Sequence, residues 1–393
     1  MKLFSNIEAF TETLGPRNAI DDNMTLILII QRIFGQHILN SNWTWKRFIL
    51  YQIASASLIA YVVFGTKEIL SNTTDIKAIA EACYTFAISG LSTVKYLLFV
   101  RERNTFRKLY VKAKTSILGI LNEDSHEKMV EVLKNSKRVM ILMFSMVALP
   151  VSSYILRALW FYAKGERVTL SKTTSTLLPM TTPYYEIATT LHALFMTEMA
   201  CTFCVIDIWF MFLLNLYCTA SESVVKILDV MKADGDNEED YAVRLNDCLR
   251  KFYIRHVHLV EYLYILNKTF KWQALVPLIT VIILSCIPML SMSKELDVTF
   301  ATNVMPTIAE IFVYNWFGEQ VKTKSNDLRA ALINFDWVGL QLRDKKSYYL
   351  ILSFMSKEFG VTTAVGSELS LITMTSVLKA SYQAFTMLQS FEN

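Results

Sequence analysis

The sequence predicts an all-α, polytopic membrane protein: seven transmembrane helices, a cytoplasmic amino terminus, an extracellular carboxyl terminus and a cytoplasmic helical anchor layer. Three observations predict this. The 393 residues are 53% hydrophobic and 19% charged, and a mean hydropathy of +0.33 is too high for an ordinary soluble domain. Seven apolar stretches, at roughly 47–66, 78–100, 138–162, 188–217, 269–292, 298–320 and 367–390, have the length of about 20 residues that a bilayer crossing needs. Lysine and arginine collect in alternate connections between those stretches.

That charge asymmetry sets the orientation. Lys46 and Arg47 precede the first span, and a basic run from Arg101 to Arg138 follows the second. Arg244, Arg250, Lys251 and Arg255 follow the fourth, and Lys322, Lys324, Arg329, Arg343, Lys345 and Lys346 follow the sixth. The other connections hold only Lys67, Lys77, Lys164, Arg167, Lys172 and Lys294. The positive-inside rule then places the amino terminus in the cytoplasm. A sequon, Asn72-Thr73-Thr74, falls in the first outer loop, but Asn42-Trp43-Thr44 and Asn267-Lys268-Thr269 match the same pattern on the inner side, so sequons alone decide nothing. A G-protein-coupled receptor has the opposite polarity, and neither an Asp-Arg-Tyr nor an Asn-Pro-x-x-Tyr sequence stands where such receptors carry one.

In chain order, 1–45 is a cytoplasmic amino-terminal segment with a short interfacial or re-entrant helix at Thr25–Phe34, too short to span. Its apolar part follows Asp21 and Asp22, which is not the pattern of a cleavable signal peptide. Residues 46–220 carry helices one to four, 221–268 a cytoplasmic link and an extension of helix five, and 269–320 helices five and six. In the extension, Leu245, Leu249, Phe252, His256, Leu259, Leu263, Leu266 and Phe270 alternate steps of four and three, the seam of a helix packed along another. The acidic run at 235–240 is a solvated turn before it. Residues 321–365 hold two anchor helices, Asp327–Ile333 and Gln341–Lys357, the second with Tyr348, Tyr349, Ile351, Leu352 and Met355 as packing residues.

The last segment, 366–393, is helix seven. Thr373, Ser376, Lys379, Gln383, Thr386 and Ser390 share one side, and Met374, Leu378, Tyr382, Phe385 and Leu388 the other. A polar stripe on a membrane helix must meet protein or water. Ser/Thr contacts between packed helices satisfy that condition, and so does the wall of a water-filled pore. Lys379 favours the pore, because a cation at membrane depth is costly without water or a partner.

Other chemistry finds no support. The six cysteines avoid the outer segments, so no disulfide framework is implied. Cys201-x-x-Cys204 sits within an apolar span and is packing. His256 and His258 diverge on a helix and make no metal pair. No nucleophile–base set, cofactor motif or metal-ligand cluster stands out, no internal repeat with broken helices suggests a transporter, and nothing points to nucleic acid. Lys95, Arg157, Glu198, Asp207 and Glu310 are ionisable residues at membrane depth, where such groups pair or face water.

Tyr314-x-x-x-Gly318, with Ser325, Ala330 and Trp337, and the run Ser376-Val377-Leu378-Lys379-Ala380-Ser381-Tyr382-Gln383-Ala384-Phe385-Thr386-Met387-Leu388 resemble the insect odorant receptor family. Asn315 departs from the cysteine many members carry, and Lys357-Glu358-Phe359 lacks the usual basic-Pro pair before helix seven. The resemblance implies a subunit of an odour-gated, non-selective cation channel, a tetramer with helix seven lining a central pore. Its partners are co-receptor subunits, a small volatile organic ligand, membrane lipid and permeating cations, in the plasma membrane of olfactory sensory neurons. The short link at 221–241 resembles an odour-tuning subunit rather than the co-receptor, which carries a long insertion there. A gustatory-type channel shares the architecture, but Val377-Leu378-Lys379-x-Ser381-Tyr382 argues against it.

The resemblance further implies an odour pocket in the outer half of the membrane between helices two, three, four and six. The expected lining is Tyr84 and Ala87 from helix two, then Ser153, Leu156 and Trp160 from helix three. Helix four adds His192, Phe195, Met196 and Met199; helix six adds Thr307, Glu310 and Ile311. Arg157 and Glu310 are the expected ion pair at the pocket floor. Met387, with Phe391 one turn outward, is the expected gate, and Lys379 and Gln383 face the water column below it.

Overall fold

The computed structural model describes residues 11–72, 74, 76–124, 126–170, 180–229, 237–292, 304–356 and 359–392. Thr73 of the sequon, residues 235 and 236 of the acidic turn, the start of the sixth span, Lys357-Glu358, and the side chains of Cys286, Leu388 and Phe391 lie outside the described residues. All regular elements among them are helices. In order these are α1 (Ala19–Asn23), α2 (Thr25–Ile33), α3 (Trp45–Asn72), α4 (Ile76–Arg101) and α5 (Arg103–Lys112). There follow a π-helical turn at Ala113–Ile117, α6 (Leu118–Asp124), α7 (His126–Ala163), α8 (Tyr184–Val225) and α9 (Glu238–Met292). The chain ends with α10 (Val304–Asn334), α11 (Leu342–Phe354) and α12 (Leu371–Glu392).

Seven of these, α3, α4, α7, α8, α9, α10 and α12, are the long helices foreseen. By length and hydropathy among the described residues, Glu81–Arg101, Glu127–Ala163 and Tyr184–Leu228 are apolar enough to cross a membrane. The polar stripe of α12 lowers the hydropathy of that helix.

At the amino-terminal end, Asn18 caps α1 by accepting from the Ile20 N–H at 3.0 Å, and Asp21 returns the bond to the Asn18 N–H. Ile27, Leu28 and Gln31 of α2 are buried, and Gln31 accepts the indole N–H of the fully buried Trp209 at 3.2 Å. The short apolar helix is therefore docked into the bundle, against α8.

The seam of α9 is buried throughout, from Leu245 to Phe270, His256 included. At 1.5 Å per residue the 55-residue helix is roughly 80 Å long, well beyond a bilayer core of about 30 Å. Its amino-terminal half consequently packs against the ends of α5, α8, α10 and α11. The expected separate helix at Asp327–Ile333 does not exist: α10 runs unbroken to Asn334. Tyr314, Val321, Leu328 and Leu332 are buried along it, and steps of seven and four keep them on one face without a break. In α11, Tyr348, Ile351 and then Met355 are buried, whereas Tyr349 is exposed.

Before α12 the chain makes a tight turn. The Leu369 N–H donates to Val361 O at 2.9 Å, and the Ala364 N–H donates to Lys271 O on α9 at 2.9 Å. Leu369 also lies against Gly318 of α10, where a Cβ would come within 2.3 Å of its carbonyl oxygen. The glycine of Tyr314-x-x-x-Gly318 is thus a requirement of close backbone approach.

Candidate functional site

A cavity of about 160 Å³ lies among α4, α7, α8, α9 and α10. Helical spacing builds each wall. On α4, Tyr84, Ile88, Ser89 and Ser92 recur at three- and four-residue steps; on α7, Met143, Val147, Pro150 and Tyr154 do so; on α8, His192, Phe195, Met196, Met199 and Phe203. Thr280 of α9 and Thr307 and Glu310 of α10 complete the enclosure.

Seven of the twelve expected pocket residues meet here: Tyr84, His192, Phe195, Met196, Met199, Thr307 and Glu310. Ala87 and Ser153 are half-buried but line no part of the cavity. Leu156 and Trp160 are 63% and 62% exposed on the outer side of α7; the cavity face of that helix is the 143/147/150/154 stripe, offset from the 153/156/160 stripe. Ile311 is fully buried, yet it packs with Leu278 and Val281 against Met374, Val377 and Leu378 of α12.

The floor is charged. Lys95, on α4, points its ammonium at both Asp207 of α8 and Glu310 of α10, the latter at 2.8 Å. The three side chains are 0%, 1% and 3% exposed. The Tyr314 hydroxyl donates to the same Asp207 oxygen that Lys95 reaches, and the ammonium also lies 3.7 Å from the centre of the Phe203 ring. Asp207 Oδ2 is buried without a hydrogen-bond partner. Burying these groups carries a desolvation penalty that only mutual pairing offsets, so the cluster ties three helices together. It replaces the expected Arg157–Glu310 pair: Glu310 is taken by Lys95 of α4, a partner that spacing alone did not reveal.

On α12, Met374, Val377 and Leu378 face the bundle and Ser381 is buried. Tyr382, expected on that face, is instead exposed, because the packed stripe runs 374/377/378/381. Ser376, Lys379, Gln383, Thr386, Met387 and Ser390 are all exposed on the protein's own surface. The start of the helix is held three ways. Ser370 Oγ accepts from the Thr373 N–H at 3.2 Å, Asn315 accepts from the Ser370 N–H at 3.1 Å, and Glu319 accepts from the Leu371 N–H at 3.3 Å.

Seven long helices, five of them walling a mostly apolar cavity of small-molecule size, make a seven-helix bundle with room for a ligand. The family model described as 7tm Odorant receptor matches residues 75–382. The chain belongs to that family, one of receptors and not of enzymes. In fold it is similar to the insect olfactory receptor OR5 from Machilis hrabei, with a TM-score of 0.70 and 13% identity over 98% of this chain and 97% of that one. The same receptor in complex with eugenol gives a TM-score of 0.71 and 14% identity, covering 94% and 97%. A search of curated protein sequences gave no match.

Proposed function

We propose that this chain is the odour-binding subunit of a heteromeric, odour-gated, non-selective cation channel. A small volatile ligand occupies the cavity among α4, α7, α8, α9 and α10, in the outer half of the membrane, and opens a central pore lined by α12. The amino terminus is cytoplasmic, the carboxyl terminus extracellular, and the complete channel is a tetramer with co-receptor subunits in the plasma membrane of olfactory neurons.

The observation that carries this reading is the direction of the α12 polar flank. Ser376, Lys379, Gln383 and Thr386 turn away from the bundle that buries Met374 and Leu378. In lipid such a flank is costly; beside a shared water column it is not. Apolar residues left uncovered on the α9 extension and α11, among them Tyr253, Leu342, Leu350 and Phe354, support subunit contacts in the cytoplasmic layer. The cavity supports binding of one small apolar molecule, held mainly by dispersion and burial.

The test is electrical. Cells expressing this chain with a co-receptor subunit should pass a ligand-evoked cation current that either subunit alone does not reproduce, and Ala200→Phe, which fills the cavity, should abolish it at unchanged surface expression. A ligand response insensitive to Ala200→Phe would contradict the assignment.

A further inference from the structure

The two ends of the cavity differ in chemistry. Its upper walls are aromatic and aliphatic, from Tyr84, Met143, Tyr154, Phe195 and Met196. Its floor presents the carboxyls of Asp207 and Glu310. One ammonium serves both carboxyls, and its remaining direction is covered by the Phe203 ring. Lys95 and Tyr314 both point their protons at Asp207 Oδ1, whereas Asp207 Oδ2 has no partner. A buried acceptor left unmet is costly, and the cost is recovered when a donor arrives. The Lys95 and Tyr314 donors are already engaged, so the floor has acceptor capacity to offer at Asp207.

We infer that the ligand is a small apolar molecule ending in a single hydroxyl, bound with that hydroxyl donating into the Asp207–Glu310 floor. This rests on the cavity being the ligand site. Size restricts the apolar part: about 160 Å³ is close to the roughly 150 Å³ of an apolar cavity that accepts one benzene. A single ring or a short chain fits. An ether or ester of equal size brings only acceptors to a floor of acceptors. A carboxylate brings a negative charge and acceptors only to the unmet Asp207 oxygen.

The probes are benzyl alcohol, benzyl methyl ether and toluene, applied to cells expressing this chain with a co-receptor subunit. The half-maximal concentration for benzyl alcohol should lie about tenfold or more below that for either analogue, the worth of one hydrogen bond to a charged acceptor. Asp207→Asn should bring that ratio to about threefold or less, a comparison of potencies within one channel from which any general loss of response cancels. If Asp207→Asn does not reach the surface, the ratio in the unmodified channel decides by itself. Equal potency of alcohol and ether, with both lost in Ala200→Phe, would overturn the hydroxyl inference and keep the cavity as the site. Responses unaffected by Ala200→Phe, or no response to any probe from channels at the surface, would overturn both.

Discussion

The side-chain oxygen of Asn315 accepts a hydrogen bond from the backbone N–H of Ser370 at 3.1 Å, both residues buried. This joins α10 to the first turn of α12. One residue earlier on α10, the Tyr314 hydroxyl donates to Asp207 at the cavity floor. The neighbouring Ile311, one residue after Glu310, packs on Val377 and Leu378. A single stretch of α10 therefore touches the cavity on one side and the seventh helix on the other, which makes it a two-sided element through which occupancy can bias α12.

Asn315→Ala leaves the Ser370 N–H buried without an acceptor, a cost of about 1–3 kcal/mol. Ligand potency in current recordings should fall several-fold while binding to the purified protein changes little. Gly318→Ala is the harsher change, since its Cβ would meet Leu369 O at 2.3 Å, and ligand-evoked current should be lost. Equal losses in binding and current would instead mean that α10 shapes the cavity alone.

Lys95→Met removes the cation that pairs with two buried carboxyls and should destabilise the protein by about 3–5 kcal/mol. Replacing Asp207 and Glu310 by leucine in the same variant should restore much of the melting temperature in detergent, because no unpaired charge then remains. Melting curves of the single and triple variants check this.

His256 lies in the α9 extension, outside the predicted spans, stacked on Phe252 with Phe354 and Phe359 at its edges. Burial brings its pKa down from 6.5 to about 4. As the pH falls below about 6.5 the unfolded chain binds a proton that the folded chain takes up only near 4, so stability drops across that window. The loss between pH 7.5 and pH 5 is about 2 kcal/mol. A His256→Phe variant should melt with a shallower dependence on pH over that range; identical pH slopes would contradict the assignment.

Met387, 61% exposed on α12, is the proposed gate. Exchanging it for serine wets an apolar constriction and should raise the resting current without any ligand, measured as the holding current before stimulation. An unchanged leak would move the gate elsewhere.

The helical layout was legible because apolar period and charge asymmetry survive in any single sequence. The α9 seam, Leu245 to Phe270, is buried residue for residue as its spacing predicts. Cavity residues on α8 were legible for the same reason: His192, Phe195, Met196 and Met199 occupy one helical face. What stayed hidden depends on rotation between helices. The stripe holding Leu156 and Trp160 and the stripe holding Met143, Val147 and Tyr154 are equally periodic, and only packing decides which turns inward. Lys95, Asp207 and Glu310 are separated by more than a hundred residues at each step, and one sequence carries no record of that meeting. Tyr382 missed its expected side because the packed stripe of α12 includes the small Ser381, which hydropathy does not mark.

The most direct test of the central claim is thiol access along α12. Gln383→Cys, co-expressed with a co-receptor subunit and exposed to a small charged thiol reagent while the ligand is present, should lose most of its evoked current within the exposure. Gln383→Cys channels that conduct normally and stay unmodified under the same treatment would show that this flank does not border the ion path.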